Sequence, residues 1–450
     1  MLADPILLQL ASVFPATLYA VGGAVRDSLL GFAPKDVDLA SDMLPEEVAR
    51  CLKNTGFVVL PTSPKLGTLK IKGFGKEYEY TAFRIDSYAA GGSHAPEDVR
   101  FTSDLAEDAG RRDFTADAIY YNIKKGEYVD PLGGIYDIEK RLLRATRSPE
   151  EVMREDGLRL LRLVRIACSC GFEIDPDLYE ASRKYRFLLK DVHDSRIGEE
   201  FSKIIVCDTF YDVKGAHTRA IRMLLDLGLM DFILPELLEC KGFPQRTDYH
   251  KYDVLEHIIR VFDLSPPQVR MAALFHDSTK PLNKITTGKM AGHEFTGAML
   301  LRKRLKKLCF SNDDIERWAR LVEAHMYDLK CETGEKKLRL FVQKNADILH
   351  DLVALKDADY LGSGMHTGRN PSGIRMEETY RTMREEGVPF SIKELKVDGN
   401  DLIAAGIPPA ERGKTMEELM HLAANDACLR TAEGQKAFLA TKIQIPRLMS

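Results

Sequence analysis

Over the first 145 residues, short apolar runs with polar partners are separated by glycine and proline, and they predict a mixture of strands and helices. A strand is expected at Leu18–Val21, a short helix at Val25–Leu30, and a second strand starting within Lys35–Leu39. Pro45–Thr55 reads as a helix, residues 56–63 and 66–74 as strands, and Lys76–Phe83 as another strand. Arg84–Asp108 holds Gly91, Gly92 and Pro96 with few apolar positions, the pattern of a long mobile loop. Beyond residue 145 the pattern turns helical. Ser148-Pro149-Glu150-Glu151 is a helix start, with proline in the first turn and acids near its positive end. A helix expected over Glu155–Cys170 puts Leu160, Leu161, Val164 and Cys168 on its apolar face. Helices continue through 206–385, and in 386–450 Gly399, Gly406, Pro408 and Pro409 punctuate short ones. The expected fold class is therefore multidomain α+β: a mixed β-sheet with helices in 1–145, then all-α segments over 146–205, 206–385 and 386–450.

Composition narrows the setting without changing that picture. A content of 44% hydrophobic and 29% charged residues over 450 positions is that of a globular protein with a large core. No apolar run approaches the roughly 18 residues of a membrane helix, and the first residues lack a basic start, so no membrane partner is expected. The eight cysteines are scattered. Cys168 and Cys170 lie close, but on a helix they point to opposite sides, so neither a zinc site nor a disulfide frame is indicated, and a reducing cytoplasm is the expected location. A net charge of −4 means that any RNA surface must come from local basic patches; one candidate, Arg302–Lys307, reads better as a solvated helix face.

The chemistry concentrates first in Tyr19–Ser41. Gly22 and Gly23 follow a strand, so backbone can approach a triphosphate with no Cβ in the way, and amides at the next helix start favour an anion. Asp36 and Asp38 are two apart on a strand and leave the same face, a hard oxygen site suited to Mg²⁺. In this order, Gly22, Gly23, Val25, Arg26, Asp27, Leu29, Leu30, Gly31, Asp36 and Asp38 resemble the opening motif GG-x-VRD-x-LLG…DxD of the class II (bacterial-type) tRNA nucleotidyltransferase and poly(A) polymerase family. In that family an acid of a later strand completes a three-carboxylate site; Glu79 is the matching position, and Glu77 shares its face.

Two further stretches extend the resemblance. Arg111, Arg112, Asp113, Phe114, Thr115 and Ala118 match the family's RRDFT-x-NA. The arginines suit triphosphate oxygens, and Asp113 is an acceptor of the kind a ribose hydroxyl needs. Asp117 stands where the family has Asn and cannot donate as an amide does. Farther on, Asp130, Gly134 and Asp137 match a motif that reads as structural, and Arg196, Glu199 or Glu200, and Lys203 match R-x-x-E-x-x-K. Asp156, Arg159, Arg162 and Arg165 recur at steps of three, and the stretch resembles the family's ED-x-x-R, with Gly157 where proline is common. Cytosine and adenine both present a donating amine beside an accepting ring nitrogen. Asp156 only accepts and Arg159 only donates, so the pair fits C and A and leaves polar groups unpaired against G and U.

A second constellation lies in the helical body. His257, the pair His276-Asp277, His293, His325 and Asp359 follow one another, and H…HD…D resembles the HD phosphohydrolase superfamily. Its minimal metal set is matched by His257, His276, Asp277 and Asp359, ligand types suited to a transition metal. Ser278 and Thr279 replace the superfamily's usual apolar-Gly pair before Lys280, which bears on hydrolytic competence.

The resemblance implies a head (1–145), a base-selecting neck (146–205), an HD-bearing body (206–385) and a tRNA-binding tail (386–450). It implies template-independent addition of CCA to the 3′ end of tRNA from CTP and ATP, with pyrophosphate released and two Mg²⁺ held at Asp36, Asp38 and Glu79. It implies nucleotide contacts at Gly22, Gly23, Arg26, Arg111, Arg112, Asp113, Asp156, Arg159, Arg162 and Arg165. A relative adding only A or only CC, or a poly(A) polymerase, would share these motifs. The length of Arg84–Asp108 favours full CCA addition, because CC-only members of the family lack a comparable flexible loop. An HD phosphohydrolase with a merely nucleotide-binding head is the rival of a different class, and Asp36 and Asp38 argue against it.

Overall fold

The computed structural model describes residues 2, 4–34, 36–88 and 96–443. The chain forms two compact units, Met1–Pro235 with Lys307–Phe310 and Glu236–Lys306 with Ser311–Ser450. The expected head and neck boundaries both fall within the first unit. Among the described residues no helix is long and apolar enough to cross a membrane.

The first unit is built on a seven-stranded mixed sheet in the order β3-β4-β5-β2-β1-β8-β9. These strands are β1 Tyr19–Val21, β2 Asp38–Ser41, β3 Val58–Ser63, β4 Thr68–Gly73, β5 Lys76–Ala82, β8 Tyr120–Asn122 and β9 Glu127–Val129. Alternation decides which face each residue takes. Leu69 and Ile71 of β4 and Tyr78 and Tyr80 of β5 are buried on one face, where the Tyr80 hydroxyl bonds Ser41 Oγ and the Met43 carbonyl, both at 2.6 Å. The other face buries Val21, Ala40 and Tyr120 with Phe83, Ala109 and Ala118. Asp38 and Glu79 stand on this second face, beyond the edge of its apolar cluster, because β2 and β5 run parallel with those two residues in register.

Two sequence expectations are corrected here. Arg84–Asp108 is not one loop: β6 Arg84–Ser87 pairs with β7 Asp98–Phe101, and a helix follows at Leu105–Gly110. The composition misled because Arg84 and Asp86 are buried as an ion pair at 2.8 Å, so polar residues occupy inward positions. Gly91, Gly92 and Ser93 lie outside the described residues. The helix expected over Glu155–Cys170 begins only at Leu158, after a separate helix Pro149–Glu155 that follows the expected start at Ser148-Pro149. Asp156 between them is extended (φ −146°, ψ 110°), and its Oδ1 accepts from the Leu158 N–H at 2.8 Å. A Cβ on Gly157 would sit 2.5 Å from the Leu188 carbonyl oxygen, so the chain approaches there only because the residue is glycine.

The second unit is helical. His257 lies on Val254–Leu264, His276 ends Arg270–Phe275, His293 begins His293–Lys307, His325 caps Asn312–Ala324, and Asp359 lies on Leu349–Gly362. Residues of the segment expected as the tail have their own core, including Leu395, Val397, Leu402, Ile407, Leu419 and Leu439.

Candidate active site and metal centre

Gly22 adopts φ 78°, a conformation that favours glycine, and a Cβ built on it would lie 3.7 Å from Asp38 Oδ2 and 3.8 Å from an Arg112 terminal nitrogen. The glycine turn, one carboxylate and one guanidinium thus converge on one spot. Asp36 and Asp38 line a cleft of about 300 Å³ with Gly23, Arg26, Arg165 and Lys203. The register distinguishes the two acids that share this face: Glu79 is Asp38's lateral neighbour, with its side chain 69% exposed, whereas Glu77 is held by Lys70 and Lys72 at 2.6 Å each. Asp38 is exposed at the mouth of the cleft, but the walls around it strip some of its hydration; that desolvation, with Glu79 and Asp36 nearby, pushes its carboxyl above the usual range, and Arg112 opposes the shift. Crowded acids of this kind are relieved by a cation, so the donor set fits Mg²⁺.

The arginines divide. Arg112 is aimed at the glycine turn and braced by Tyr120 and Asp108. Arg111 turns elsewhere, to Asp108 at 2.7 Å and Asp86 at 3.2 Å, and lines a separate cleft with Glu107 and Arg147. Arg26 lines the main cleft but is 5% exposed, bonded to Asp117 at 2.6 Å, Asp27 at 2.8 Å and the Tyr211 hydroxyl at 3.1 Å. Arg162 bonds Asp113 at 2.5 Å and Arg165 bonds Glu200 at 2.6 Å. Against the cost of burial, Arg162 holds the Asp113 carboxyl down at about 2. Asp117 carries its own answer to the missing amide: it accepts from Arg26, with Arg162 at 3.8 Å.

Asp156 and Arg159 remain neighbours, but not on one helix face. Arg159 donates to the Val152 carbonyl at 3.0 Å, Glu155 at 2.8 Å and the Arg111 carbonyl at 2.9 Å, and lies 5.5 Å from the Tyr88 ring centroid. Both residues are 5% exposed. Three of Arg159's five N–H donors are therefore used inside the protein.

In the second unit all four residues of the expected metal set meet. His257 Nε2 is 3.0 Å from Asp359 Oδ1 and 3.2 Å from both Asp277 Oδ2 and His276 Nε2. His293 and His325, noted in the sequence but left out of the minimal set, complete the cluster: their Nε2 atoms lie 3.0 and 3.9 Å from Asp277 Oδ1. The six residues form two groups able to hold an ion, His257–His276–Asp359 and Asp277–His293–His325, and the Asp277 carboxylate faces both. Three histidines are set for ligation from behind. Nδ1 of His276, His293 and His325 meets the carbonyl of Ala273, Met290 and Val322 at 2.7, 2.9 and 2.6 Å. A carbonyl only accepts, so Nδ1 carries the hydrogen and Nε2 is left with its lone pair. Asp277, His293 and His325 are buried with their ligand atoms within 4.8 Å of one another, and Asp277 Oδ2 is paired with Lys280 Nζ at 2.5 Å, a donor set that fits a bound cation. Burial resists charge at His257, but Asp277 and Asp359 prevail and push it up to about 9; burial, with His293 and His276 beside it, pushes His325 down to about 3. Ser278 and Thr279 point away from the ligands, to the Phe275 and His293 carbonyls at 2.9 and 3.1 Å, so they brace the cluster and do not block it.

A glycine turn set against paired carboxylates on a mixed sheet defines a nucleotidyltransferase. Comparison with known proteins agrees: residues 18–144 match the poly A polymerase head domain, 171–241 the probable RNA and SrmB-binding site of polymerase A, and 249–363 the HD domain. A CC-adding tRNA nucleotidyltransferase of Thermus thermophilus is 32% identical over 369 residues, 78% of this chain and 77% of its own. The chain belongs to the tRNA nucleotidyltransferase and poly(A) polymerase family. It is also similar to a CCA-adding enzyme of Ligilactobacillus salivarius, 28% identical over 409 residues (90% and 86% of the two chains). An A-adding tRNA nucleotidyltransferase of Deinococcus radiodurans is 29% identical over 428 residues (91% and 88%). The crystal structure of the Bacillus stearothermophilus CCA-adding enzyme in complex with CTP shares the fold, with TM-score 0.64 and 23% identity over 97% of this chain and 96% of that one.

Proposed function

We propose that this chain adds C, C and A to the 3′ end of tRNA, taking CTP and ATP and releasing pyrophosphate. The observation that carries the reading is the meeting of Asp38 with Glu79, Gly22 and Arg112 on one face of the sheet. Asp36, Asp38 and Glu79 would hold two Mg²⁺, which when bound lower the pKa of the RNA's terminal hydroxyl and offset charge on the triphosphate. The backbone at Gly22-Gly23 cradles the phosphates, and Arg112 fixes their orientation. The 3′-oxygen then bonds the α-phosphorus while its bond to the β-phosphate bridge breaks. Asp113 accepts from the ribose, and Asp156 with Arg159 selects the base. Relatives that add CC, A or CCA are about equally similar to this chain, so the choice among them falls to the following experiment. Incubating the purified protein with tRNA ending before CCA, after CC, or after CCA, and each NTP in turn, tests the reading. CTP should extend the first by two residues and ATP the second by one; use of only one of the two substrates would select the narrower activity.

The histidine cluster supports a second activity, metal-dependent hydrolysis of phosphoesters. Its observation is the convergence of buried Asp277, His293 and His325 beside His257, His276 and Asp359, each group with its ligand atoms within 4.8 Å of one another. His257, His276, Asp277, His293, His325 and Asp359 would hold two transition-metal ions, which supply a nucleophilic water and polarise the phosphoryl oxygen. Elemental analysis of the purified protein, with hydrolysis of a generic phosphodiester under added Mn²⁺ or Ni²⁺, checks it; no metal and no turnover would leave the cluster as scaffold.

A further inference from the structure

Asp117 is the one position in the head's arginine-rich motif that departs from the family pattern, and its surroundings give the departure a use. Asp113, Arg162, Asp117 and Arg26 form a chain of alternating charge. Arg162 Nε bonds Asp113 Oδ2 at 2.5 Å, its terminal nitrogen lies 3.8 Å from Asp117 Oδ2, and Asp117 Oδ1 accepts from Arg26 at 2.6 Å. Both carboxylates are almost fully buried, at 6% and 5% exposure, while the Arg162 side chain is one-third exposed at 33% and is the member able to move. Asp113 is occupied on both oxygens, since Oδ1 accepts from the Phe114 N–H at 3.0 Å. A ribose hydroxyl seeking Asp113 therefore competes with Arg162.

We propose that Asp117 is a second seat for Arg162: when the ribose of a ribonucleoside triphosphate takes Asp113, Arg162 moves to Asp117. The inference rests on the nucleotide-site reading above and deepens it by naming the feature of the nucleotide that is read. A guanidinium stripped of one buried carboxylate needs another within reach, and the shift from 3.8 Å to bonding distance is about 1 Å, within side-chain rotation. An Asn at 117 would still accept from Arg26 through its carbonyl, but it would offer Arg162 no charge. Asp117 is a positioning residue in this account, because it acts on the ribose only through Arg162 and Asp113.

The test is equilibrium binding of CTP and of 2′-deoxy-CTP to the full-length protein without tRNA, for the wild type, Asp117→Asn and Arg162→Gln. The wild type should prefer CTP by about tenfold or more, the value of one hydroxyl bonded to a charged acceptor. In Asp117→Asn, Arg162 stays on Asp113, and the preference should fall at least fivefold through weaker CTP binding, with 2′-deoxy-CTP nearly unchanged. In Arg162→Gln the preference should persist, because Asp113 is freed. An Asp117→Asn protein that weakens both nucleotides equally, or neither, would overturn the seat exchange. Loss of the preference in Arg162→Gln would overturn it as well, and decides the matter if Asp117→Asn does not fold. A wild type that binds neither nucleotide would instead overturn the nucleotide-site reading, and the seat exchange with it.

Discussion

Asp38 and Glu79 stand on the open side of a sheet, with Asp36 just ahead of β2 and not on the strand expected for it, whereas His257, His276, Asp277, His293 and His325 are at most 2% exposed. The two groups also carry opposite electrostatics. In the first, acids crowd one another in a cleft and the Asp38 carboxyl is held above its usual range. In the second, Asp277 is held well below its usual range, against the cost of burial, by Lys280 and the histidines. An acid cluster short of positive charge is completed by what enters from solvent, a nucleotide with its cations. A histidine–carboxylate cluster closed by its own ion pairs is completed by an ion taken up once and kept. On the proposed reading one chain would hold an exchange site and a retention site, and the following outcomes break or sharpen that contrast.

The largest effect is expected at Asp277, whose two oxygens face both ligand groups. Asp277→Ala should remove the retained metal entirely and any phosphoester hydrolysis with it, measured by elemental analysis and turnover. Next comes the register argument in the head. Glu79→Ala should slow CTP addition by tens of fold, roughly 2 kcal/mol of transition-state stabilisation, while Glu77→Ala, which loses only surface pairs with Lys70 and Lys72, should stay within about twofold. Equal losses would refute the strand register as the source of the third acid.

The pH dependences differ in sign and are smaller. His257 is pushed up to about 9, so its contribution to the metal-free fold is complete below its unfolded pKa near 6.5 and is lost as pH rises through about 9. Thermal unfolding with chelator present should show Tm falling across that window, and bound Mn²⁺ should flatten the fall, since the ligand histidines are then held unprotonated. Asp38 is the reverse case for an acid. Its raised folded pKa means that the folded state pays for its charge, so the metal-free protein is least favoured, on this account, where Asp38 is ionised. Asp38→Asn should therefore raise Tm slightly in chelator at neutral pH while destroying activity, and a lowered Tm would contradict the crowding.

How much of this was legible in the sequence follows from how each site is encoded. Gly22, Gly23, Asp36 and Asp38 lie within one strand–helix–strand unit, so spacing alone placed them together. Glu79 is readable in the sequence only to the level of a face; the parallel pairing of β2 with β5, a long-range fact, is what places it and not Glu77 beside Asp38. Asp156 was misplaced because period-three spacing is blind to a helix break. The signal was present in Gly157, whose lack of a Cβ lets the Leu188 carbonyl approach. Arg111 and Arg112 are equivalent in sequence and both reach Asp108; the buried Asp86, which bonds Arg111, and the Tyr120 hydroxyl, which bonds Arg112, set them apart. His293 and His325 sit at opposite ends of two consecutive helices, where a single histidine carries no distinguishing pattern; their carbonyl partners at Nδ1 appear only on folding.

The measurement that bears most directly on the central claim is incorporation of C and A into tRNA lacking CCA by Asp38→Ala and Asp277→Ala, side by side with the wild type and Mg²⁺. An exchange site and a retention site with separate chemistry predict a loss of at least about a thousandfold for Asp38→Ala, as expected when a metal-holding carboxylate is removed, and a change within about twofold for Asp277→Ala. Comparable losses in the two variants, or near wild-type turnover in Asp38→Ala, would contradict the assignment of nucleotidyl transfer to the open carboxylates of the head.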